Sequence, residues 1–480
     1  MSRVLAVLVL VSSAASALHA QIGPDLTISE VAVPSGVVHF GSAGGIEAYG
    51  WGVTTCNLGG VPAQWIADTP EHPIMVRNLY RLENDRFEQI GMSWVSHEFC
   101  ALGTAGCGSC GLATPCEQLG AGCATPTSGT VAGSVGVLGP RSDVDISTSS
   151  YVYPPTLSPS GSSPLLGRLQ VATTDIDPAL HPTARYFAEI QVASLDDQQF
   201  GVLTNNVSWR ELDVLSPSAL IIVADTHVGE PALAAWVESD PTVMLEDALV
   251  PGEGRFWLAS RVEEIGPGTW RYDYTLFNES SHRSARSFTV PIPAAITDAT
   301  FHDVAYHSGE IYSGSDWTFA AIGATAQWET DPFTTDANAN ALRWSTAYSF
   351  GFTCGVEPIV GTATVGLFRP GTPDTIEIEA RIPMVGAVSF RRGDANVDGG
   401  WDVADSVFIL ASLFTAGSPL PNCLSAADVN DDGTFDISDA IYGLAGLFTA
   451  GAPPPPAPWP GCGSDPTPDA LGCASFPPCP

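Results

Sequence analysis

From residue 25 to about residue 384 the apolar residues fall in short runs separated by Gly, Pro, Ser and Asn. The clearest run is Trp270-Arg-Tyr272-Asp-Tyr274-Thr-Leu276, in which bulky side chains take every second position. A period of two marks a strand with one face on a core. Gly266-Pro-Gly-Thr269 turns the chain into this strand from residues 256–265. Another hairpin is predicted over 74–94, turning at Asn84-Asp85, and further strands over 287–292, 341–350, 363–367 and 375–382. Regular short strands with turn signals and few long helical patterns predict a mainly β protein, with β-sandwich-like regions at 21–214 and 215–390. The stretch from about 101 to 164 is Gly- and Cys-rich, then Ser- and Pro-rich. It is too long for an ordinary connection and reads as an insertion in the first region.

After residue 390 the period changes. Val403, Val407, Leu410 and Phe414 stand at i, i+4, i+7 and i+11, and Ile437, Ile441, Leu444 and Phe448 repeat the stripe. Two short helices are predicted, neither able to bury its stripe alone, so the stripes are expected to pack on each other, roughly antiparallel. Ahead of each helix stands an acidic loop. The first reads Asp394-Ala-Asn396-Val-Asp398-Gly399-Gly400-Trp-Asp402-Val-Ala-Asp405. The second reads Asp428-Val-Asn430-Asp-Asp432-Gly433-Thr434-Phe-Asp436-Ile-Ser-Asp439, and the copies lie 428 − 394 = 34 residues apart.

Oxygens at loop positions 1, 3, 5, 7, 9 and 12 converge on one hard cation in the EF-hand arrangement, and Gly at position 6 permits the turn. Here those positions are Asp394, Asn396, Asp398, Gly400, Asp402 and Asp405, then Asp428, Asn430, Asp432, Thr434, Asp436 and Asp439. Gly400 and Thr434 would offer main-chain carbonyls, and position 9 would act through a water. Four carboxylates in each loop repel one another until a divalent ion sits among them. The reading is two calcium ions, bound as part of folding.

Position 12 is Asp where the EF-hand has Glu. With the duplication, this resembles the dockerin type I family, and the resemblance covers residues 391–451. It implies a small α-helical calcium-binding module that plugs into a cohesin-like or other extracellular protein. In that family positions 10 and 11 help select the partner; here they are Val403-Ala404 and Ile437-Ser438, which differ between the copies.

Residues 1–20 read as a signal peptide, with Arg3, an apolar core at 4–11 and a small-residue exit near Ala20-Gln21. No later run has the length and apolarity of a membrane span. The expectation is a secreted protein, extracellular or associated with the cell surface. Its formal charge of −34, from 52 acidic against 18 basic residues, argues against nucleic acid or an anionic membrane as partner.

Eleven Cys in an exported chain predict disulfides. Cys56, Cys100, Cys107, Cys110, Cys116 and Cys123 form one group, Cys423, Cys462, Cys473 and Cys479 another, and Cys354 stands alone. Cys107 and Cys110 have the spacing of half a zinc site, although a disulfide-stapled loop suits the compartment better. Residues 452–480 open on Pro453-Pro-Pro-Pro456, a stiff spacer, and continue as a Cys-bearing tail. Cys462 with Cys423 and Cys473 with Cys479 is one pairing among several for that tail.

Two polar groups in the β region invite a functional reading. His302, Asp303, His307, Glu310 and Asp316 with Trp317 would hold a metal or a sugar if a loop gathered them. On a strand, the odd separation of the two His residues would turn their rings to opposite faces, and hydrogen bonding at strand ends is the simpler reading. His72, His97 and Glu98 form the second group, with neither Gly-x-Ser-x-Gly nor His-Glu-x-x-His in the chain. No catalytic residue is assigned.

Phe87-Glu-Gln-Ile-Gly-Met-Ser-Trp94, Phe301-His-Asp-Val-Ala-Tyr-His-Ser-Gly309 and Ala339-Asn-Ala-Leu-Arg-Trp344 are similar to phrases in an uncharacterised group of exported, dockerin-tailed bacterial proteins. That resemblance implies context and no activity. The function expected is a secreted modular calcium-binding protein, attached through its dockerin-like module, whose β region is a binding or structural body. The alternative is an extracellular polysaccharide-degrading or carbohydrate-binding component, an inference from the company dockerins keep.

Overall fold

The alternation around Tyr272 becomes strand Thr269–Asn278, hydrogen-bonded to Gly254–Gly266 on one side and Thr346–Cys354 on the other. This is seen in a computed structural model that describes residues 23–480 except 98, 201–202, 294, 323, 385–388, 416, 468–470, 472, 474–475 and 480. The expected signal peptide lies outside the described residues. The chain divides into two compact units: one runs to Val290 and resumes over Ile296–Arg381, the other comprises Pro291–Ala295 and Ile382–Pro480.

The first unit is built of stacked sheets. Tyr272, Tyr274 and Leu276 are buried on one face of a five-stranded sheet that also holds Met244–Val250 and Ile296–His302. They face a second five-stranded sheet: Tyr274 meets Phe288 at 5.4 Å, Phe288 meets Phe350 at 4.6 Å, and Trp328 meets Phe350 at 5.4 Å. This pair of sheets is the expected sandwich. Those aromatic rings are its core.

The intervening positions of the same strand are buried too. Phe277, with Ala259 and Ala347, joins a cluster with Tyr80, Phe87, Phe187, Trp209 and Trp236 of the large sheet region. Thr275 Oγ1 and Ser349 Oγ donate to the Phe87 carbonyl at 2.6 and 2.7 Å. Small hydroxyl residues fit there because a backbone carbonyl waits for them. A four-stranded sheet containing Leu26–Val31 and Val53–Asn57 shares a further core with Met75, Leu79 and Ile190. Strand Val207–Ser216 runs through the 214/215 position where a boundary between two β regions was expected, and residues on both sides of it up to Arg381, apart from Pro291–Ala295, fall in one unit.

The hairpin at 74–94 forms as strands Ile74–Glu83 and Arg86–Met92, turning on Asn84 and Asp85 with φ of 49° and 58°. Two consecutive positive values match the twist of the flanking strands. The strand expected from 341 begins only at Thr346, because Ser345, at φ 53°, turns the chain just before it.

Cys56–Cys107, Cys100–Cys116 and Cys110–Cys123 staple the start of the insertion. Cys107 and Cys110 therefore sit in different disulfides, which removes the zinc reading. In the tail the pairs are Cys423–Cys473 and Cys462–Cys479, correcting the pairing suggested from sequence. The backbones of Cys423 and Cys473 already meet there as an antiparallel bridge. Cys354 is a buried free thiol. No helix among the described residues is long and apolar enough to cross a membrane.

One carboxyl in this unit links stability to pH. Asp197 is fully buried, takes a 2.6 Å hydrogen bond from Asn206 Nδ2, and burial pushes its pKa up to about 7 from 3.8. A folded pKa above the unfolded value means that the folded state binds the proton more tightly. Its contribution is full below pH 3.8 and is lost as pH rises through about 7. Asp197→Asn should therefore raise the unfolding free energy at pH 8 by on the order of 3 kcal/mol, with a higher thermal midpoint, and leave both nearly unchanged at pH 4. Equal effects at both pH values in calorimetric scans would contradict this.

Candidate metal centre

Both acidic loops run into helices, α1 (Val403–Phe414) and α2 (Ile437–Phe448), and the same hydrogen-bond skeleton is built twice. Asp402 and Asp436 cap the helices, accepting from Ala404 N and Ser438 N at 2.7 Å. Three residues on, Asp405 and Asp439 accept from the backbone N–H of Asp402 and Asp436 at 2.8 and 2.9 Å, completing a capping box in each copy. Loop position 1 is wrapped by its own turn. Asp394 accepts from Asp398 N at 3.0 Å and Gly399 N at 2.9 Å, while Asp428 accepts from Asp432 N at 3.2 Å and Gly433 N at 3.0 Å. Gly399 and Gly433 take φ of 94° and 79°, the conformation that position 6 requires.

The electrostatics of the two copies run in parallel. Asp394, Asp405, Asp428 and Asp439 are buried, although each belongs to a polar loop. Burial, reinforced by the charges of Asp394 and Asp398, pushes Asp405 up to about 6. Burial and the nearby Asp428 charge push Asp439 up to about 7. Asp394 and Asp428 are raised as well, chiefly by burial. Backbone N–H groups offset part of this crowding, yet each loop keeps more negative charge than it compensates. Carboxylates, an amide oxygen and main-chain carbonyls form an oxygen-only donor set, which suits a hard divalent cation. Among the described residues, three His, Cys, Asp or Glu ligand atoms lie within 4.8 Å of one another only at His227, Glu230 and Glu238, so the loop carboxylates are more widely spaced.

The helices pack differently from the pattern prediction. α1 buries Asp405, Ser406 and Ile409, and α2 buries Asp439, Ala440 and Gly443. Val403, Val407 and Phe414, with their counterparts Ile437, Ile441 and Phe448, are exposed instead. The position-12 carboxylate explains the reversal. It points into its loop, and that sets the rotation of the helix, sending Val403, Val407 and Phe414 to the far side while Leu410 stays partly buried against the core. The helices then meet through small residues: a Cβ on Gly443 would stand 2.8 Å from Ser406 Oγ.

Sequence reading overlooked Arg392. It is fully buried and binds Asp431 at 2.8 Å, Asp465 at 2.7 Å and the carbonyls of Ser425 and Asp428 at 3.1 and 2.8 Å. Through Asp465 it ties the tail to the second loop. Arg391 donates to the Gly399 carbonyl in the first loop. The available signal was two adjacent Arg directly before an acidic repeat, in a chain with only 18 basic residues.

The other polar groups are accounted for by local bonding. His72 is buried, with Nδ1 2.7 Å from the Pro73 carbonyl and Nε2 2.9 Å from the Phe99 carbonyl. His97 stacks on Tyr151, burial lowers its pKa to about 4, and Glu98 lies outside the described residues. His302 Nε2 is 3.0 Å from the Gln89 carbonyl and His307 Nε2 2.9 Å from that of Met92. Glu310 accepts from Arg141 N at 2.8 Å, and Asn340 donates to Asp303 while the Trp317 ring donates to Asn340 O. Asp316 is exposed; burial raises the pKa of Asp303, and the Asp316 charge adds to it. His302, Asp303 and His307 do share a cleft of about 350 Å³ with Ile46, Ile90 and Val171. Its lining is mostly apolar, and the six residues do not converge on one point.

Gly446 tests the packing of the second unit. A Cβ there would lie 2.9 Å from the Trp401 ring and 3.1 Å from the Pro453 carbonyl. Gly446→Ala should lower the stability of this unit by about 1–3 kcal/mol in chemical denaturation, through overpacking; no change would refute the close approach. No family model matches this chain, and no curated protein matches it.

Proposed function

We propose that the second unit is a calcium-bound, dockerin-like docking module and that the chain is an exported modular protein. In this reading the module attaches the chain to another extracellular protein, and the β unit is its binding or structural body. The observation that carries it is the twin exposed stripe. Six large apolar side chains stand at matched positions of two matched helices, with Phe414 and Phe448 68 % and 72 % exposed. Monomeric proteins seldom leave so ordered an apolar surface uncovered. A protein partner with a flat apolar face, such as a cohesin-like module, suits it.

Calcium would be held by Asp394, Asn396, Asp398, Gly400, Asp402 and Asp405, and by Asp428, Asn430, Asp432, Thr434, Asp436 and Asp439. It would supply the positive charge that the buried carboxylates lack. The residues of this chain do the rest: the capping boxes couple each loop to its helix, so ordering a loop orders the stripe that follows.

Titration calorimetry on the full chain should show two calcium ions, with Asp394→Ala retaining one and Asp394→Ala combined with Asp428→Ala retaining none. Undiminished uptake in the double variant would refute the assignment. Val407→Asp combined with Ile441→Asp should leave both ions bound. It should also abolish capture of any extracellular protein that the wild-type chain holds in calcium and releases to chelator. Retention of that protein by the stripe variant would place docking elsewhere.

A further inference from the structure

In the first unit, His227, Glu230 and Glu238 bring one imidazole nitrogen and two carboxylate oxygens within 4.8 Å of one another. His227 Nδ1 lies 3.3 Å from Glu230 Oε1 and 3.2 Å from Glu238 Oε1. Each of the three is placed by a separate anchored piece of chain. His227 opens strand His227–Val228, paired with Val207–Ser216 through Trp209↔His227 and Ser208↔Val228. Its ring lies flat on the Trp209 indole, 3.8 Å between centroids and 9° between planes. Trp209 is itself buried, so the imidazole rests on a fixed wall and loses little further freedom on taking a ligand. Gly229, at φ 78°, donates its N–H to Ser208 Oγ at 3.1 Å and turns the chain, bringing Glu230 back to the ring. Glu238 comes from the short helix Ala234–Ser239, which is held by the buried Ala234, Ala235 and Trp236.

Without an ion the arrangement is internally opposed. Nδ1 carries at most one hydrogen, and two carboxylates face it. The neighbouring cation, Arg185, feels the Glu238 charge but makes its hydrogen bonds to Glu211, through Nε at 2.7 Å and Nη2 at 2.9 Å, and to Ser239 Oγ. A divalent cation would resolve the opposition by accepting the Nδ1 lone pair and one oxygen from each glutamate, with water completing its shell. Imidazole with carboxylates favours zinc and its transition-metal neighbours, whereas calcium and magnesium prefer all-oxygen sets. We propose that His227, Glu230 and Glu238 form a three-ligand site for a divalent transition-metal ion of the zinc class, chemically distinct from the twin loops.

The test uses the full chain with calcium in excess, so that any oxygen-only loops are filled before zinc is titrated. Calcium stoichiometry, measured first on the same sample, reports on the loops separately. One zinc ion per chain is expected by calorimetry, and His227→Ala and Glu238→Gln should each weaken it by at least about tenfold. Glu238 is half exposed, so its variant keeps the fold even if loss of the His227–Trp209 stack does not. Absence of zinc uptake by the wild-type chain, or uptake undiminished in Glu238→Gln, would overturn the site.

Discussion

Asp394, Asp405, Asp428 and Asp439 are carried out of water in a unit of about a hundred residues, and the shape of that unit follows from how their charge is met. An isolated buried carboxylate costs several kcal/mol, so every available donor is drawn towards it. The backbone of each loop folds round its first aspartate, and the helix start is locked by the ninth and twelfth. Because the twelfth points inward, the helix cannot rotate to bury its apolar stripe. Ile409, Ala440 and Gly443 turn inward instead, while Val403, Val407, Phe414 and their counterparts are left to solvent. Arg392 serves the second loop and gathers Asp465 of the tail at the same time.

The first unit meets a different demand, that of burying a large amount of aromatic surface in flat layers. Its middle sheet is covered on both faces, and strand Thr346–Cys354 is buried along its whole length. Polar side chains survive there only with named partners. Arg141, almost fully buried, donates to the carbonyls of Ser93 and Ser345 and to Asn78 Oδ1. Glu189 accepts from Asn78, Tyr80 and the Ala232 N–H. Such fully bonded groups set the register between layers, and His72, His302 and His307 are likewise held on backbone carbonyls.

His227, Glu230 and Glu238 show the complementary case. Nothing in their spacing marks them as a group, since His227 sits on a strand, Glu230 in a turn and Glu238 on a helix. They meet because Trp209, from a strand nearly twenty residues upstream, supplies the wall on which the ring lies.

By itself the sequence determined what is local and periodic. The period of two around Tyr272, the Asn84-Asp85 turn and the doubled loop-helix pattern each depend on neighbours a few residues away, and each is written in consecutive positions. The stapled start of the insertion was legible too, because cysteines crowded in one stretch have few other partners. Tertiary structure decided what depends on direction: which helix face turns inward, which cysteines of the tail meet, and that a strand with alternating character is covered twice. A hydrophobic stripe says only that one face differs from the other. The side that is buried was chosen by a carboxylate at the start of the helix, whose charge outweighs the apolar area left in water.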